Sequence, residues 1–335
     1  MSRPKRVVAA PDKFRHTATA AEIAAAVAAG AESAGWDCSE VPLADGGEGL
    51  LEAFGGANRS EVVSGPLGDP VEAPWRLDGR TAIIEMALAS GLELVGGAEA
   101  NDPLAASTYG TGELIELAVE RGARRVVVGV GGSATTDGGL GALRAMYPVQ
   151  RLKGVELVVA CDVRIPFVDA AEVFGPQKGA SESQVELLRR RLVRLGQVYV
   201  DDYGIDVTKL PGGGAAGGLA GGLAAVGAEL IPGFELVADE VDLAGAMEGA
   251  DLVVTGEGRV DEQSFAGKVV GGVLEMAHEL EVPVVIIAGE VELDGVSDAP
   301  PRSMISLSDR FGRERSTSDP LGLVIEVVAE VLAER

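Results

Sequence analysis

Acidic residues in glycine-rich turns are the groups of this sequence that could carry chemistry. Five turns each follow a short apolar run and each contain a carboxylate: APDKF, ADGGEG, GGSATTDGG, ACDV and TGEGRVDEQS. Carboxylates can ligate a hydrated divalent cation or move a proton, and glycine neighbours leave room for the water shell of the ion. The candidate carboxylates are Asp12, Asp45, Glu48, Asp137, Asp162, Glu257 and Asp261.

A loop of small residues ends the stretch RRVVVGVGGSATTDGG, residues 124–139, which begins as a buried strand. Backbone N–H groups of such a loop can approach a phosphate closely, hydroxyl groups add donors, and the start of the following helix adds a favourable dipole. The candidate phosphate-binding residues are Gly131, Gly132, Ser133, Thr135 and Thr136.

Lysine is scarce in this chain, which has 6 lysines and 22 arginines. Three of the lysines, Lys13, Lys178 and Lys268, lie in turn-rich segments rather than on helix faces. A compact ammonium charge in a turn suits an anionic ligand, although chance placement would also account for these positions.

Two glycine-containing segments partly match familiar nucleotide-binding loops. SFAGKVV contains Gly267 and Lys268 but lacks the first glycine and the hydroxyl residue of a Walker A motif, so a P-loop is excluded. Gly129, Gly131 and Ala134 satisfy GxGxxA after a strand, but no strand ending in an acid follows about 20 residues later. A nicotinamide-dependent oxidoreductase therefore stays open only as an alternative.

Histidine-based catalysis is not expected. The chain has two histidines, His16 and His278, and it contains neither a GxSxG nor an HExxH motif. Proton transfer would therefore fall to carboxylates.

Short β-branched runs alternate with alanine- and leucine-rich stretches, which is typical of an α/β fold with mainly parallel strands. Ligands gather at the carboxyl ends of strands in such sheets, so the acidic turns can converge. Segment 61–95 differs and predicts short hairpin strands, and the glycine-rich segment 211–227 predicts a packed helix or phosphate-adjacent turn, with a flexible linker as the alternative. Strands are predicted within 6–10, 38–44, 125–130, 155–161, 250–258 and 282–289, and helices within 20–35, 111–121, 181–197 and 267–281.

Length and composition limit the class of protein. A chain of 335 residues with 47% hydrophobic residues predicts two folded domains. The formal net charge of −24 disfavours nucleic acid and anionic membranes as partners. Neither a membrane-spanning apolar run nor a signal peptide is evident, so a cytoplasmic location is expected. Cys38 and Cys161 lack the spacing of a disulfide framework or a zinc site.

The motifs together resemble those of the type-1 bacterial glycerate kinases. They occur in order from about residue 7 to residue 289: APDKFRHTATA, PLADGGEG, IIEMALASGLELV, STYGTGELI, GVGGSATTDGG, ACDV, VFGPQKGAS, PGGGAAGGL and DLVVTGEGRVDEQSFAGKVV. The resemblance implies ATP-dependent phosphorylation of glycerate with Mg²⁺, with 2-phosphoglycerate as the favoured product. It implies a Rossmann-like α/β domain with a mainly parallel sheet from residues 1–60 plus 245–335, and a mixed α/β domain inserted at 61–244. The expected partner is a small molecule, glycerate or a related hydroxy acid, and a homodimer is left open as the assembly.

Roles follow for individual residues, because phosphoryl transfer needs cations at the phosphates, carboxylates at the metal and a base at the attacking hydroxyl. An arginine fork at position 15 suits the carboxylate of glycerate. The expected catalytic residues are Asp45, Asp162, Lys13 and Arg15. The expected nucleotide-binding residues are Gly131, Gly132, Ser133, Thr135, Thr136, Lys178, Gly256, Glu257 and Lys268. The expected metal ligands are Asp45, Asp137, Asp162 and Asp261.

This chain departs from the family pattern in several places. The family usually has lysine and glycine where Arg15 and His16 stand, and many members have asparagine in place of Thr136. Two segments, before VELVVACDV and within DVRIPFVDAAEVFGPQKG, are shorter than usual. A catalytically impaired binding homologue is therefore the second hypothesis, and the oxidoreductase is the third.

Overall fold

Residues 3–14, 17–265, 268–293 and 304–335 are those that the computed structural model describes. Within these ranges the chain has the α/β fold that the sequence predicts. The strands are β1 (Arg6–Ala9), β2 (Asp37–Glu40), β3 (Arg59–Ser64), β4 (Pro70–Asp78), β5 (Thr81–Glu85), β6 (Arg125–Gly129), β7 (Glu156–Ala160), β8 (Glu229–Ile231), β9 (Leu252–Thr255), β10 (Arg259–Val260), β11 (Val284–Ala288), β12 (Glu290–Val291) and β13 (Met304–Ser306).

α-Helices connect most of these strands. They are α1 (Ala20–Ser33), α2 (Leu50–Ala53), α3 (Ala87–Ser90), α4 (Tyr109–Glu120), α5 (Leu140–Ala145), α6 (Ala170–Phe174), α7 (Glu182–Tyr203), α8 (Ala215–Ala225), α9 (Gly233–Glu240), α10 (Leu243–Met247), α11 (Val269–Glu279), α12 (Leu307–Phe311), α13 (Arg313–Ser318) and α14 (Pro320–Ala333). Most of the predicted elements begin and end within a few residues of their expected bounds, because long periodic segments give the strongest sequence signal.

The chain divides into two compact units. The first unit comprises Met1–Asp45, Glu52–Phe54 and Phe234–Arg335, and the second comprises Gly46–Leu51 and Gly55–Gly233. These bounds differ by several residues from the boundaries at 60 and 245 expected from the sequence. One reason is that β3 starts at Arg59 and pairs with β4, which assigns it to the second unit.

A wholly parallel sheet forms the centre of the first unit, with the strand order β13-β11-β9-β1-β2. Its central strands are runs of β-branched residues buried on both faces, as a sheet covered by helices requires. Helix α1 starts at a capping box formed by Thr19 and Glu22. It packs closely on α14 at Gly30, where an added Cβ would lie 2.8 Å from the Cβ of Val328.

The direction of the strand connections reverses between β1 and β9. From β1 the chain passes through α1 to β2 on one side, and from β9 it passes through α11 to β11 on the other. Parallel sheets open a crevice at the carboxyl ends of two such strands. The loops that follow β1 and β9 therefore border the position where a ligand is expected.

A mixed sheet forms the centre of the second unit, with the order β3-β4-β5-β6-β7-β8. The pairs β3/β4 and β4/β5 are antiparallel, which confirms the hairpin strands predicted within 61–95, and the pairs from β5 to β8 are parallel. Every residue of α8 is buried, and Ala216, Gly217 and Gly218 near its start have left-handed φ values. The glycine-rich segment is therefore a packed turn that leads into a helix, and the linker alternative is wrong. None of the described helices is both long enough and apolar enough to cross a membrane.

Candidate functional site

A polar cavity of about 670 Å³ lies in the first unit, around the loops that follow β1, β9 and β11. Six of the carboxylates and lysines singled out from the sequence line it: Asp12, Lys13, Asp45, Glu257, Asp261 and Lys268. Three of the five acidic turns, APDKF, ADGGEG and TGEGRVDEQS, thus meet in one place, as expected at the carboxyl edge of a parallel sheet, whereas Asp137 and Asp162 of the other two turns belong to the second unit. The rest of the lining is Phe14, Thr17, Gly258, Arg259, Gln263, Gly289, Glu290, Ser308, Arg313, Ser316 and Thr317.

Backbone hydrogen bonds hold the loops after β1 and β9 against each other. The N–H of Asp12 donates to the carbonyl of Gly256 at 2.8 Å, and the N–H of Gly258 donates to the carbonyl of Lys13 at 3.3 Å. Gly256 also packs on β11, because an added Cβ would lie 1.7 Å from the carbonyl oxygen of Ile287. The predicted nucleotide-binding role of Gly256 remains a prediction, and this close packing alone accounts for its glycine.

Asp12 is buried at the floor of the cavity, with 8% of its surface exposed. Burial, Asp45 and Glu257 raise the pKa of Asp12 to about 7, and the charge and backbone N–H of Lys13 oppose them. That N–H donates to Asp12 Oδ1 at 2.7 Å. A carboxyl group that titrates near neutral pH can accept a proton from a bound hydroxyl. The sequence singled out Asp12 as a carboxylate but assigned it no catalytic role.

Glu257 follows β9 and has one carboxylate oxygen without a partner. Burial raises the pKa of Glu257, while a hydrogen bond from Ser264 and the charge of Lys268 lower it. Its Oε1 is buried and accepts no hydrogen bond from the described residues. A buried carboxylate oxygen in this state calls for a cation or a donor from a ligand.

Asp261 closes a turn at the edge of the same cavity. Its Oδ1 accepts hydrogen bonds from the N–H groups of Gln263 at 2.8 Å and Ser264 at 3.2 Å. The N–H of Asp261 donates to Ser264 Oγ at 3.0 Å. These bonds fix the turn and place Ser264 beside Glu257.

Residues within 289–290 and 308–317 complete the cavity wall, and none of them was predicted from the sequence. Arg313 makes two hydrogen bonds to the carboxylate of Glu290, at 2.7 and 2.8 Å. The N–H of Ser308 and the hydroxyl of Ser316 both donate to the carbonyl of Gly289, at 3.0 and 3.2 Å. The hydroxyl-rich run RSTSD could have indicated a binding segment, but it has no periodicity from which a helix or strand could be predicted.

The second unit brings Lys178 to the loop at 131–136. Lys178 is buried, and its ammonium donates to Ser133 Oγ at 2.7 Å and to the carbonyl of Thr135 at 2.6 Å. Burial lowers the pKa of Lys178 to about 7, against the charge of Asp137. The lysine thus cross-links two residues of the predicted phosphate-binding loop.

Close packing from α8 fixes the same loop. An added Cβ on Gly217 would lie 1.9 Å from the carbonyl oxygen of Thr135, and the N–H of Gly138 donates to the carbonyl of Gly217 at 3.0 Å. Thr135 and Thr136 are buried, and neither hydroxyl has a partner among the described residues. Gly131 approaches the backbone of Gly47, and Gly132 has a φ of +62° that favours glycine.

Asp137 follows this loop and is occupied by hydrogen bonds within its own unit. Its oxygens accept from the backbone and hydroxyl of Thr108 and from the N–H groups of Gly139 and Gly141, at 2.9 to 3.1 Å. These bonds account for an aspartate at this position, because they hold the turn and the start of α5 in place. The predicted role of Asp137 as a metal ligand stays a prediction.

Two other carboxylates of the second unit contact backbone N–H groups. Asp162 Oδ1 accepts from Gly233 at 2.7 Å. Glu85 Oε1 accepts from Gly49 at 3.1 Å and Leu51 at 2.7 Å, next to the ADGGEG turn. Glu85 was not predicted from the sequence, although an acid at the end of the apolar run TAIIE could have indicated it.

Arg15, a predicted catalytic residue, lies outside the described residues, as does His16. Within the described parts of the chain, no three carboxylate, histidine or cysteine side chains are placed to hold a metal ion by themselves.

Known proteins resemble this chain over most of its length. The model of the glycerate kinase family matches residues 7–147 and 148–322. The chain is 41% identical to glycerate 2-kinase of Escherichia coli (strain K12) over 329 residues, which cover 86% of each chain. It is 39% identical to glycerate kinase of Bacillus subtilis (strain 168), again over 329 residues and 86% of each chain.

A solved structure agrees with these relatives. The crystal structure of a protein assigned as glycerate kinase 2, from Salmonella typhimurium LT2, matches with a TM-score of 0.82 and 35% identity over 99% of this chain and 98% of that chain. The oxidoreductase alternative is therefore not supported. The chain belongs to the glycerate kinase family and is a kinase.

Proposed function

We propose that this kinase transfers the γ-phosphoryl group of ATP to the 2-hydroxyl of glycerate, and that it does so with Mg²⁺. The names of the relatives support glycerate as the acceptor, and the E. coli relative, a glycerate 2-kinase, supports the 2-hydroxyl. Phosphoryl transfer depends on positioning and charge stabilisation more than on covalent catalysis, which suits a cavity of carboxylates and lysines.

The observation that carries the proposal is the raised pKa of Asp12, which follows β1 at the place where the strand connections of the sheet change direction. A pKa of about 7 lets this carboxylate accept the proton of the attacking hydroxyl at neutral pH. Lys13 and Lys268 line the same cavity and supply positive charge toward the transferred phosphoryl group. Asp12 is thus the proposed general base, a role that the sequence reading gave to Asp45 or Asp162.

Mg²⁺ fits the donors of this cavity. The Oε1 of Glu257 has no partner among the described residues, and the charge of Asp45 adds to burial in raising the pKa of both Asp12 and Glu257, which indicates an excess of negative charge in the cavity. Mg²⁺ usually takes one or two carboxylates and completes its shell with water and phosphate oxygens, so three protein ligands are not required. Two of these carboxylates, Asp45 and Glu257, would hold the ion, which would neutralise phosphate charge there. Asp261 and Asp162 stay ligands predicted from the sequence.

The loop at 131–136 is the proposed phosphate-binding element of the second unit. Gly131 and Gly132 keep its backbone open, and the hydroxyls of Thr135 and Thr136 have no partner among the described residues. Lys178 holds Ser133 and Thr135 in place and contributes its charge when protonated.

The experiment that tests this function is ADP release from Mg-ATP, measured with and without D- and L-glycerate, with the product analysed by ³¹P NMR. Glycerate-dependent ADP release that yields 2-phosphoglycerate is the expected result. ATP binding without turnover would favour the impaired homologue instead. Turnover that yields 3-phosphoglycerate would overturn the regiochemistry alone.

A further inference from the structure

A second cavity, of about 690 Å³, lies within the second unit and is separate in its lining from the polar cavity of the first unit. Residues 103–109, residues 136–144 and α7 form its walls. Volumes of this size are typical of small-molecule sites. We call it the arginine-leucine cavity, and its lining residues of these two types are Leu104, Leu140, Arg144, Leu188, Arg190, Arg191, Leu192, Arg194 and Leu195.

Helix α7 builds one wall of the cavity from two kinds of side chain. Leu188, Leu192 and Leu195 recur at i, i+4 and i+7 and form an apolar stripe, with Leu188 and Leu192 almost fully buried. Arg191 and Arg194 lie beside this stripe, one helical turn apart. The wall therefore combines apolar surface with guanidinium groups.

The charge of this cavity is opposite to that of the whole chain. The chain has 52 acidic and 28 basic residues, yet four arginines line the cavity and Asp137 is its one acid among the described residues. The carboxylate of Asp137 already accepts hydrogen bonds from Thr108, Gly139 and Gly141. A cavity of positive charge in an acidic protein selects an anionic ligand.

Two of the four arginines that line the cavity already have a hydrogen-bond or ion-pair partner. Arg190 pairs with Glu186, and Arg191 donates to the carbonyl of Leu104 at 3.0 Å, which ties α7 to the opposite wall. The guanidinium groups of Arg144 and Arg194 form no hydrogen bond or ion pair with any residue that the structure describes. Two guanidinium groups thus have their donors available to a ligand.

Thr136 provides a second observation that points to a ligand. It lines the same cavity, is 2% exposed, and its hydroxyl has no hydrogen-bond partner within the described ranges. Buried hydroxyls nearly always have a partner. An acceptor from a bound molecule would supply one.

We propose that the arginine-leucine cavity binds an organic anion with an apolar body, whose phosphate or carboxylate group contacts Arg144 and Arg194 and whose apolar part lies against Leu140 and Leu195. Free inorganic phosphate lacks the apolar part and binds weakly. A nucleotide and a separate amphipathic metabolite share this chemistry. The nucleotide case rests on the proposed function, in which Thr136 contacts phosphate, and the test distinguishes the two sources.

Isothermal titration calorimetry with octyl phosphate, below its micelle concentration and without Mg²⁺, tests the proposal. The parent is expected to bind octyl phosphate at least about tenfold more tightly than inorganic phosphate, the scale of one modest apolar contact. Competition by ADP identifies a nucleotide as the occupant, and no competition identifies a separate amphipathic anion. Equal affinity for octyl phosphate and inorganic phosphate would overturn the proposal.

Variants locate the binding in the cavity. R144Q and R194Q each remove one guanidinium from an exposed position, and we expect each to raise the Kd for octyl phosphate about tenfold or more. A105W places a ring in the apolar part and leaves every arginine unchanged, and it should have the same effect. R189Q is the matched control, since Arg189 pairs with Glu172 and does not line the cavity. Binding that is unchanged in R144Q and R194Q, or reduced equally in R189Q, would contradict the proposal.

Discussion

Asp12 and Glu257 lie after the adjacent strands β1 and β9, close enough for the charge of Glu257 to raise the pKa of Asp12. Burial is the largest cause of this shift and Asp45 the second. Lys13 opposes them through its charge and through the N–H that it donates to Asp12 Oδ1. The arrangement keeps one carboxyl group close to half-protonated at neutral pH, at the expense of the stability of the folded chain.

Asp12→Asn is expected to stabilise the fold at neutral pH. The pKa of Asp12 is raised from 3.8 to about 7, so between these values the folded chain holds a proton that the unfolded chain has released. The parent therefore loses stability as the pH rises through this window, and the uncharged asparagine does not. Urea unfolding should show an advantage of roughly 2–4 kcal/mol for the variant at pH 8, and a smaller one at pH 5.

The control for this experiment is Asp239→Asn, which changes an exposed aspartate. It should show no comparable pH-dependent gain. An Asp12→Asn variant that is less stable than the parent at pH 8, or whose advantage is the same at both pH values, would contradict the burial of a destabilised carboxylate.

Lys13→Ala is expected to lower kcat/KM by about two orders of magnitude or more, because it removes a positioned charge from the cavity of the first unit. The free energy of unfolding should change little. Lys209→Ala, which removes an exposed lysine outside that cavity, is the matched control and should retain full activity. Parent-like kcat and KM in Lys13→Ala would remove Lys13 from the site.

Asp45→Asn and Asp162→Asn test two carboxylates that the sequence assigned to catalysis. Each substitution preserves shape and removes charge, and the Oδ1 of asparagine can still accept the N–H of Gly233 at position 162. We expect kcat to fall by about two orders of magnitude or more in each variant, with little change in melting temperature. Near-parent turnover at limiting Mg²⁺ would exclude that carboxylate as ligand or base. Lost activity with a collapsed melting temperature would assign it to the turn instead.

Lys178→Met tests the buried ammonium beneath the loop at 131–136. The pKa of Lys178 is lowered from 10.5 to about 7, so the unfolded chain binds a proton that the folded chain lacks between these values. The stability of the parent relative to Lys178→Met should therefore rise from pH 7 to pH 10, with a slope of at most about 1.4 kcal/mol per pH unit. A difference between the two proteins that is constant over this range would show that Lys178 stays charged.

Sequence patterns predicted that five acidic turns converge, because parallel strands end at one edge of a sheet, and three of the five meet in the cavity of the first unit. Asp12, Asp45 and Glu257 meet in one cavity for this reason, although they are far apart in the chain. The pattern could not rank them, since burial decides which carboxylate titrates near neutral pH. Arg313 and Ser316 were not predicted, because their segment has no periodicity and is placed by contacts with Glu290 and Gly289.

In the second unit, too, the sequence pattern alone did not determine the role of individual residues. An acid before two glycines, such as Asp137, is compatible with a metal ligand and with a turn, and its hydrogen bonds to Thr108 and Gly141 establish the turn while the metal ligand stays a prediction. Lys178 was predicted as a cation for phosphate, and its burial beneath Ser133 could not be read from the residues around it.

The pH dependence of glycerate-dependent ADP release, measured from pH 5 to pH 9 in the parent and in Asp12→Asn, tests the central claim most directly. A general base with a raised pKa is inactive while protonated, so kcat/KM of the parent, which reports the free enzyme, should rise with pH and level off above an apparent pKa near 7. Asp12→Asn should lose about two orders of magnitude in kcat at pH 8 and lack this titration in its residual activity. Parent activity that is constant down to pH 5, or an Asp12→Asn variant that retains the parent profile, would contradict the account.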